Sequence, residues 1–217
     1  MRIRAVVFDF DGVLVDSNEV KRQAFFEVFR DYDGSAEVVV SLLASDGVID
    51  RYDVIQGVLS QLEVDLPPRA QVARKLAEEY NAICEHHAAT CAEIEGAATA
   101  LATLAAEYQL FVNSATPEQP LRRIVAGRSW DRFFRGVFGR PSTKTENLRR
   151  ALSASSTTPQ DLLFVGDSRS DMLAAREVGC HFVGVRDDED VFRQHGVPVV
   201  EDLTVLPELV PDLLPAA

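Results

Sequence analysis

From Gly96 onward the chain alternates between helical and strand patterns at a spacing that leaves few choices of fold. Ala97–Ala106 is helical in pattern, Gln109–Asn113 (QLFVN) reads as a strand and Glu118–Ala126 as a helix. Thr145–Ala154 is again helical, Leu162–Val165 (LLFV) a strand, Asp171–Val178 a helix and His181–Val185 a strand, with Pro198–Val200 as an edge strand. Strands separated by helices of this length return in the same direction through right-handed crossovers, so they build a parallel sheet. Ile3–Phe8 (IRAVVF) adds a further buried strand, because a β-branched and aromatic run there ends abruptly at acidic residues and glycine.

The segment between these strands has a different texture. From Asp16-Ser17 an amphipathic helix begins, with Val20, Ala24, Phe25, Val28 and Phe29 at helical spacing. Residues from about 33 to 92 carry helical patterns over Ala36–Ala44, Asp53–Leu62 and Pro68–His86 and no strand pattern. The expected organisation is an α/β core of residues 1–16 and 93–217 with an all-helical insertion of residues 17–92 after the first strand. There is no internal repeat and no low-complexity tract, and the proline-spaced end LPELVPDLLPAA is expected to fray.

At 217 residues and 47% hydrophobic content the chain can bury a core without disulfides or a structural metal. Cys84, Cys91 and Cys180 are odd in number and lack C-x-x-C spacing, which reads as reduced thiols packed in a cytoplasmic protein. The apolar run in MRIRAVVFDFDG is too short for a signal peptide, and no stretch approaches the ~20 apolar residues of a membrane span. A formal net charge of −12 argues against nucleic acid and anionic membrane surfaces as partners. It leaves open a small phosphorylated ligand, because salt screens distant surface charge beyond roughly 8–10 Å.

Four features follow predicted strands or open predicted helices, where an open parallel sheet places its ligand crevice. They are Asp9-Phe10-Asp11-Gly12-Val13, Asn113-Ser114-Ala115-Thr116, Lys144 in PSTKTENL, and Gly166-Asp167-Ser168-Arg169-Ser170-Asp171. Taken singly each has an ordinary reading. Asp-x-Asp-Gly is a common turn, Ser114 or Thr116 can cap the helix after Pro117, Lys144 can be a solvated charge, and Asp167 can be a cap. Packing alone gives no reason for all four to occur in order at such positions.

DFDGV, a Ser-x-Thr after a strand, a later lysine and GDSxxD resemble the four motifs of haloacid dehalogenase-like hydrolases. The resemblance covers residues 1–32 and about 93–190. It implies a Rossmann-like doubly wound parallel sheet, with the helical segment as the small cap of the subgroup that includes phosphoglycolate phosphatase and β-phosphoglucomutase. It further implies a Mg²⁺-dependent phosphatase acting on a small phosphorylated metabolite, as a monomer or homodimer. Asp9 is then the nucleophile that forms an aspartyl-phosphate, and Asp11 the general acid and base. Asp9, the backbone carbonyl of Asp11, and Asp167 hold the ion, with Asp171 as a ligand or just outside it. Ser114 and Thr116 bind the phosphoryl group, and Lys144 neutralises Asp9 and the transferring charge. Asp11 also separates phosphoryl chemistry from dehalogenation, in which the departing halide needs no proton.

In the helical insertion, Lys21 and Arg51 are the candidates for meeting the substrate, Arg51 because it follows Asp46-Gly47-Val48-Ile49-Asp50 in a loop of cap type. Both can equally be solvated helix charges. His86-His87 lack a partner at metal-ligand spacing and read as a surface or hinge-proximal pair. A phosphomutase is the alternative reading, and a non-catalytic binding protein on the same scaffold ranks lower because Asp9, Asp11 and Asp167 are all present.

Overall fold

The computed structural model describes residues 2–44, 51–62, 69–186 and 191–213. The chain divides into two compact units, one of residues 1–16 with 91–217 and the other of residues 17–90.

The first unit is built on strands β1 (Ala5–Phe8), β2 (Gln109–Pro117), β3 (Phe134–Arg140), β4 (Leu162–Gly166), β5 (His181–Val185) and β6 (Val199–Val200). They form one sheet in the order β3-β2-β1-β4-β5-β6, with every pairing parallel. The parallel pairing is the one expected from the alternation of strands and helices, and the doubly wound order is the one the family resemblance implies. The order reverses direction between β1 and β4, and a crevice opens beyond the carboxyl ends of strands at such a switch point. Every residue of β1 and of β4 is buried, as central strands covered on both faces must be. Two strand ends carry the chemistry: β1 runs directly into Asp9, and β4 ends at Gly166, one residue before Asp167.

The sequence reading missed β3. Arg135, Gly136 and Gly139 dilute its apolar pattern, and among the described residues it is an edge strand paired with β2 alone. β2 also runs four residues past its expected end, to Pro117, because it pairs with β3 up to Arg140. The expectation that the proline-spaced tail frays is overturned over Leu206–Asp212. That stretch is a helix, with Pro207 in its first turn, where no N–H is needed, and with Leu206 and Val210 buried. Hydrophobic burial at one-turn spacing outweighs the cost of Pro211 inside it.

The second unit holds α1 (Asn18–Val28), α2 (Ser35–Leu43), α3 (Arg51–Gln61) and α4 (Arg69–Thr90), and no strand among its described residues. Its core is Phe25, Val28, Phe29, Val39, Ile55, Val58, Leu59, Leu76 and Tyr80, drawn from all four helices and the residue after α1. Phe29 is fully buried, so Phe29→Ala would cost about 3–5 kcal/mol. The stretch Asp46–Asp50 in the expected cap loop lies outside the described residues. Among those described, no helix is long and apolar enough to cross a membrane.

The two chain connections between the units are tied together on the side of the first unit. Asp16 N donates to Ala92 O at 2.9 Å and Ile94 N to Leu14 O at 3.1 Å, and Arg128 donates to the carbonyl of Cys91 at 2.6 Å.

Candidate active site

The loop after β1 turns back at once: Gly12 N donates to Val15 O, and Leu14 and Val15 both donate to Phe10 O. Gly12 has φ of 77°, which a side chain would strain, so the glycine permits the reversal that leaves Asp9 and Asp11 at the strand end. Both carboxylates are buried, each with about 5% of its surface exposed. Between them Phe10 points into the core, its ring edge-on to the buried Trp130 at 6.4 Å.

Lys144 is the first residue of α7 (Lys144–Ser155), whose start is fixed by a capping box. Glu146 N donates to Thr143 Oγ1, and the Glu146 carboxylate accepts from Thr143 N. From there Lys144 Nζ reaches Asp9 Oδ2 at 2.7 Å and Asp171 Oδ1 at 2.5 Å. Asp9 Oδ1 accepts from Phe10 N at 2.7 Å. Asp171 belongs to a second capping box at the start of α8 (Arg169–Val178): its Oδ2 accepts from Ser168 N and Oγ, while its own N–H donates to Ser168 Oγ. Gly166 lets Asp171 come this close, since a Cβ there would meet the Asp171 Cβ at 2.5 Å.

The hydroxyls after β2 face the other aspartate. Ser114 Oγ donates to Asp11 Oδ2 at 3.3 Å and Thr116 Oγ1 donates to the same oxygen at 3.1 Å, while Thr116 N donates to Ser114 Oγ at 3.0 Å. The helix that follows has no side-chain cap. These hydroxyls therefore serve the aspartate, and the capping reading of Ser114 and Thr116 falls away.

Charge is concentrated where burial weakens screening. Burial pushes the Asp9 carboxyl well up, the Lys144 ammonium opposes this, and Asp171, Asp167 and Asp11 add to it. Burial alone would lower the Lys144 value, but Asp171 and Asp9 overcome it and hold the ammonium firmly protonated. Asp9, Asp167 and Asp171 each offer a carboxylate oxygen within 4.8 Å of the others. Three hard oxygen donors against one ammonium leave a negative surplus, and a small divalent cation suits such a donor set.

Residues 6–185 match the model of the haloacid dehalogenase-like hydrolase family. The chain belongs to this family. As a haloacid dehalogenase-like hydrolase it is 28% identical to phosphoglycolate phosphatase 1 of Pseudomonas aeruginosa, over 99% of this chain and 79% of that protein. It is 25% identical to the pyrophosphatase PpaX of Listeria monocytogenes, over 85% of this chain and 83% of that one. In fold it resembles the haloacid dehalogenase-type protein YfnB of Bacillus subtilis, a structure bound to magnesium, with a TM-score of 0.70 and 17% identity over 97% of this chain and 99% of that one.

Of the expected site residues in this hydrolase, Asp9, Asp11, Ser114, Thr116, Lys144, Asp167 and Asp171 all lie in the first unit, where hydrogen bonds and carboxylate proximity link them in two groups. Asp9, Lys144, Asp171 and Asp167 make one; Asp11, Ser114 and Thr116 make the other. Lys21 and Arg51 belong to the helical unit. Arg51 donates to Asn81 Oδ1 and lies over the Tyr80 ring at 5.6 Å. His86 and His87 lie near the end of α4 with their rings edge-on at 5.5 Å.

Two contributors carried weak sequence signals. Ser168-x-x-Asp171 is a capping-box pattern and so was readable as the device that orients Asp171. Asn113 is a polar residue closing the apolar run LFV, which marks it as unusual without revealing its partner.

Proposed function

We propose that this hydrolase is a Mg²⁺-dependent phosphatase of a small, anionic phosphate ester or pyrophosphate, working through a phosphorylated Asp9. The observation that carries the reading is the paired contact of Lys144 with Asp9 and Asp171, set beside Asp167 at the switch point of the sheet. A buried carboxylate held by an ammonium is an anion kept ready to attack and shielded from its neighbours.

Asp9, Asp167 and the Asp11 backbone carbonyl would hold the ion, with Asp171 as a ligand or just outside. When bound it would offset carboxylate repulsion and draw charge from the phosphoryl oxygens. An Asp9 oxygen attacks phosphorus as the phosphorus–oxygen bond to the leaving group breaks, and Asp11 gives its proton to the departing oxygen. Asp11, now ionised, takes a proton from water; that water attacks phosphorus, the bond to Asp9 breaks, and phosphate and free Asp9 are restored. Ser114 and Thr116, whose hydroxyls rest on Asp11, turn to the phosphoryl oxygens. Lys144 balances the charge of Asp9 when it is unmodified and of the phosphoryl group during transfer.

The helical unit follows the Asp9–Asp11 loop in sequence, and recognition of the leaving group is assigned to it in this reading. Lys21 and Arg51 are its basic candidates. Relatives named as a pyrophosphatase and a phosphoglycolate phosphatase support this substrate class, and a metabolite of that kind supports a cytoplasmic place of action.

Purified protein with Mg²⁺, tested on phosphoglycolate, pyrophosphate and sugar phosphates, is expected to release inorganic phosphate from at least one. Conversion of a sugar phosphate to its isomer without phosphate release would replace this reading with a phosphomutase. No turnover of any, with a folded protein, would remove it.

A further inference from the structure

We propose that Asn113 is a positioning residue that sets where the Lys144 ammonium stands. This rests on the reading of Lys144 as the group that neutralises Asp9 and the transferring phosphoryl group.

Asn113 lies in β2 immediately before Ser114, and its side chain has no exposed surface. Its Nδ2 donates to the main-chain carbonyl of Lys144 at 2.9 Å, across 31 residues of chain. Among the described residues no group donates to its Oδ1. A buried amide with half of its capacity unmet is a poor packing choice, and a leucine of similar volume would fill the space without that cost. The hydrogen bond to Lys144 is what this amide does that leucine cannot.

The bond matters because of where Lys144 sits. It opens α7, where the Thr143–Glu146 capping box is exposed to solvent and the buried Asn147 Nδ2 bond to Gly139 O, at 3.4 Å, runs to β3 and not to the strand that carries Ser114. A lysine ammonium on a flexible stem is only as well placed as its main chain. Asn113 is a buried anchor between the first turn of α7 and the strand that carries Ser114 and Thr116. It therefore keeps the ammonium in register with both the phosphoryl-binding hydroxyls and Asp9. A displacement of about 1 Å at such a group is enough to cost about 100-fold in rate.

The test is a double-mutant cycle on p-nitrophenyl phosphate with Mg²⁺, using Asn113→Leu, Lys144→Ala and the two together. The enzyme is in excess over substrate so that slow variants stay measurable, and thermal unfolding checks each fold. Asn113→Leu is expected to lower kcat by about 10–100-fold with KM changed less than about threefold, and to change the rate less than about twofold once Lys144 is already alanine. A wild-type kcat in folded Asn113→Leu would overturn the proposal, as would an undiminished loss in the Lys144→Ala background, which would make Asn113 a general support of the site. If the leucine variant does not fold, Asn113→Ala, which removes the donor without adding a polar group, is carried through the same cycle. A wild-type rate for Lys144→Ala alone would instead strike the functional reading, so the two failures are told apart.

Discussion

Lys144 Nζ stands 2.7 Å from Asp9 Oδ2, joining residues 135 apart in sequence. Each side chain is poorly placed alone. Asp9 is buried at a strand end where burial opposes its charge, and Lys144 is buried where burial opposes its own. Together they offset part of that cost: the ammonium opposes the rise that burial imposes on Asp9, and Asp9 with Asp171 keeps Lys144 protonated.

Replacing the nucleophile tests that arrangement first. Asp9→Asn keeps the side-chain shape and leaves Lys144 its contact with Asp171. Turnover is expected to fall by about four orders of magnitude or more, about 5 kcal/mol of barrier, because the covalent route is lost. The unfolding transition should stay cooperative and close to wild type, since the substitution removes a carboxylate that burial disfavours. Hydrolysis at near wild-type rate by the purified variant would end the assignment of Asp9.

The metal makes a prediction readable without substrate. A divalent cation held by Asp9, Asp167 and Asp171, as proposed, would bind the folded protein and find no such cluster in the unfolded chain. At ten times its dissociation constant Mg²⁺ should add about 1.4 kcal/mol of stability. That is a rise of about 3–5 °C in Tm. Asp167→Asn should remove most of the rise. Chelation should abolish turnover, and Ca²⁺ should restore binding with little turnover because its looser coordination misplaces the reacting groups. Activity that survives exhaustive chelation would contradict the metal's role.

Asp9, Asp11, Asp167 and Lys144 were legible in sequence because each follows a strand or opens a helix, and the alternation of patterns located those boundaries. What escaped has physical reasons. β3 carries arginine and two glycines on an edge, where little apolar pattern is needed. The helix at Leu206–Asp212 forms because two apolar side chains find a core, a tertiary gain that overrides its prolines. Asn113 could be flagged as a polar residue ending an apolar run, but its partner is a main-chain carbonyl 31 residues away, and no sequence pattern encodes that contact. The role of Thr116 toward Asp11 was hidden likewise, since a Thr before Pro117 reads first as a cap.

Glu118 offers a pH test away from the metal ligands. It opens α6 (Glu118–Gly127), and its carboxylate accepts from Arg150, Arg122 and the Gly139 N–H. Burial works to raise its pKa, but these donors outweigh it and hold the carboxyl below its usual 4.5. A depressed carboxyl contributes stability above its unfolded value and loses it as pH falls through the folded one. The urea midpoint of wild type should therefore exceed that of Glu118→Gln by a constant margin from pH 7 to about 5, and the margin should shrink below about 4.5. A margin that grows on acidification would show the sign to be wrong.

Arg51 tests the helical unit. Its guanidinium bonds Asn81 and lies over Tyr80, so it ties the start of α3 to α4. Arg51→Ala should then lower Tm by a few degrees, in line with the loss of one hydrogen bond and one cation–π contact at about 1 kcal/mol each. If the same guanidinium also reads an anionic leaving group, the variant should lose about 10–100-fold in kcat/KM on phosphoglycolate or pyrophosphate, whichever the wild type prefers. The loss on p-nitrophenyl phosphate, whose leaving group carries no second anion of that kind, should be much smaller. Asn81→Ala supplies the control, since it removes the Arg51 contact and keeps the charge. Comparable losses on both substrates in both variants would assign Arg51 to packing alone. A selective loss in Arg51→Ala, absent from Asn81→Ala, would place a cation of the helical unit on the substrate's second charge.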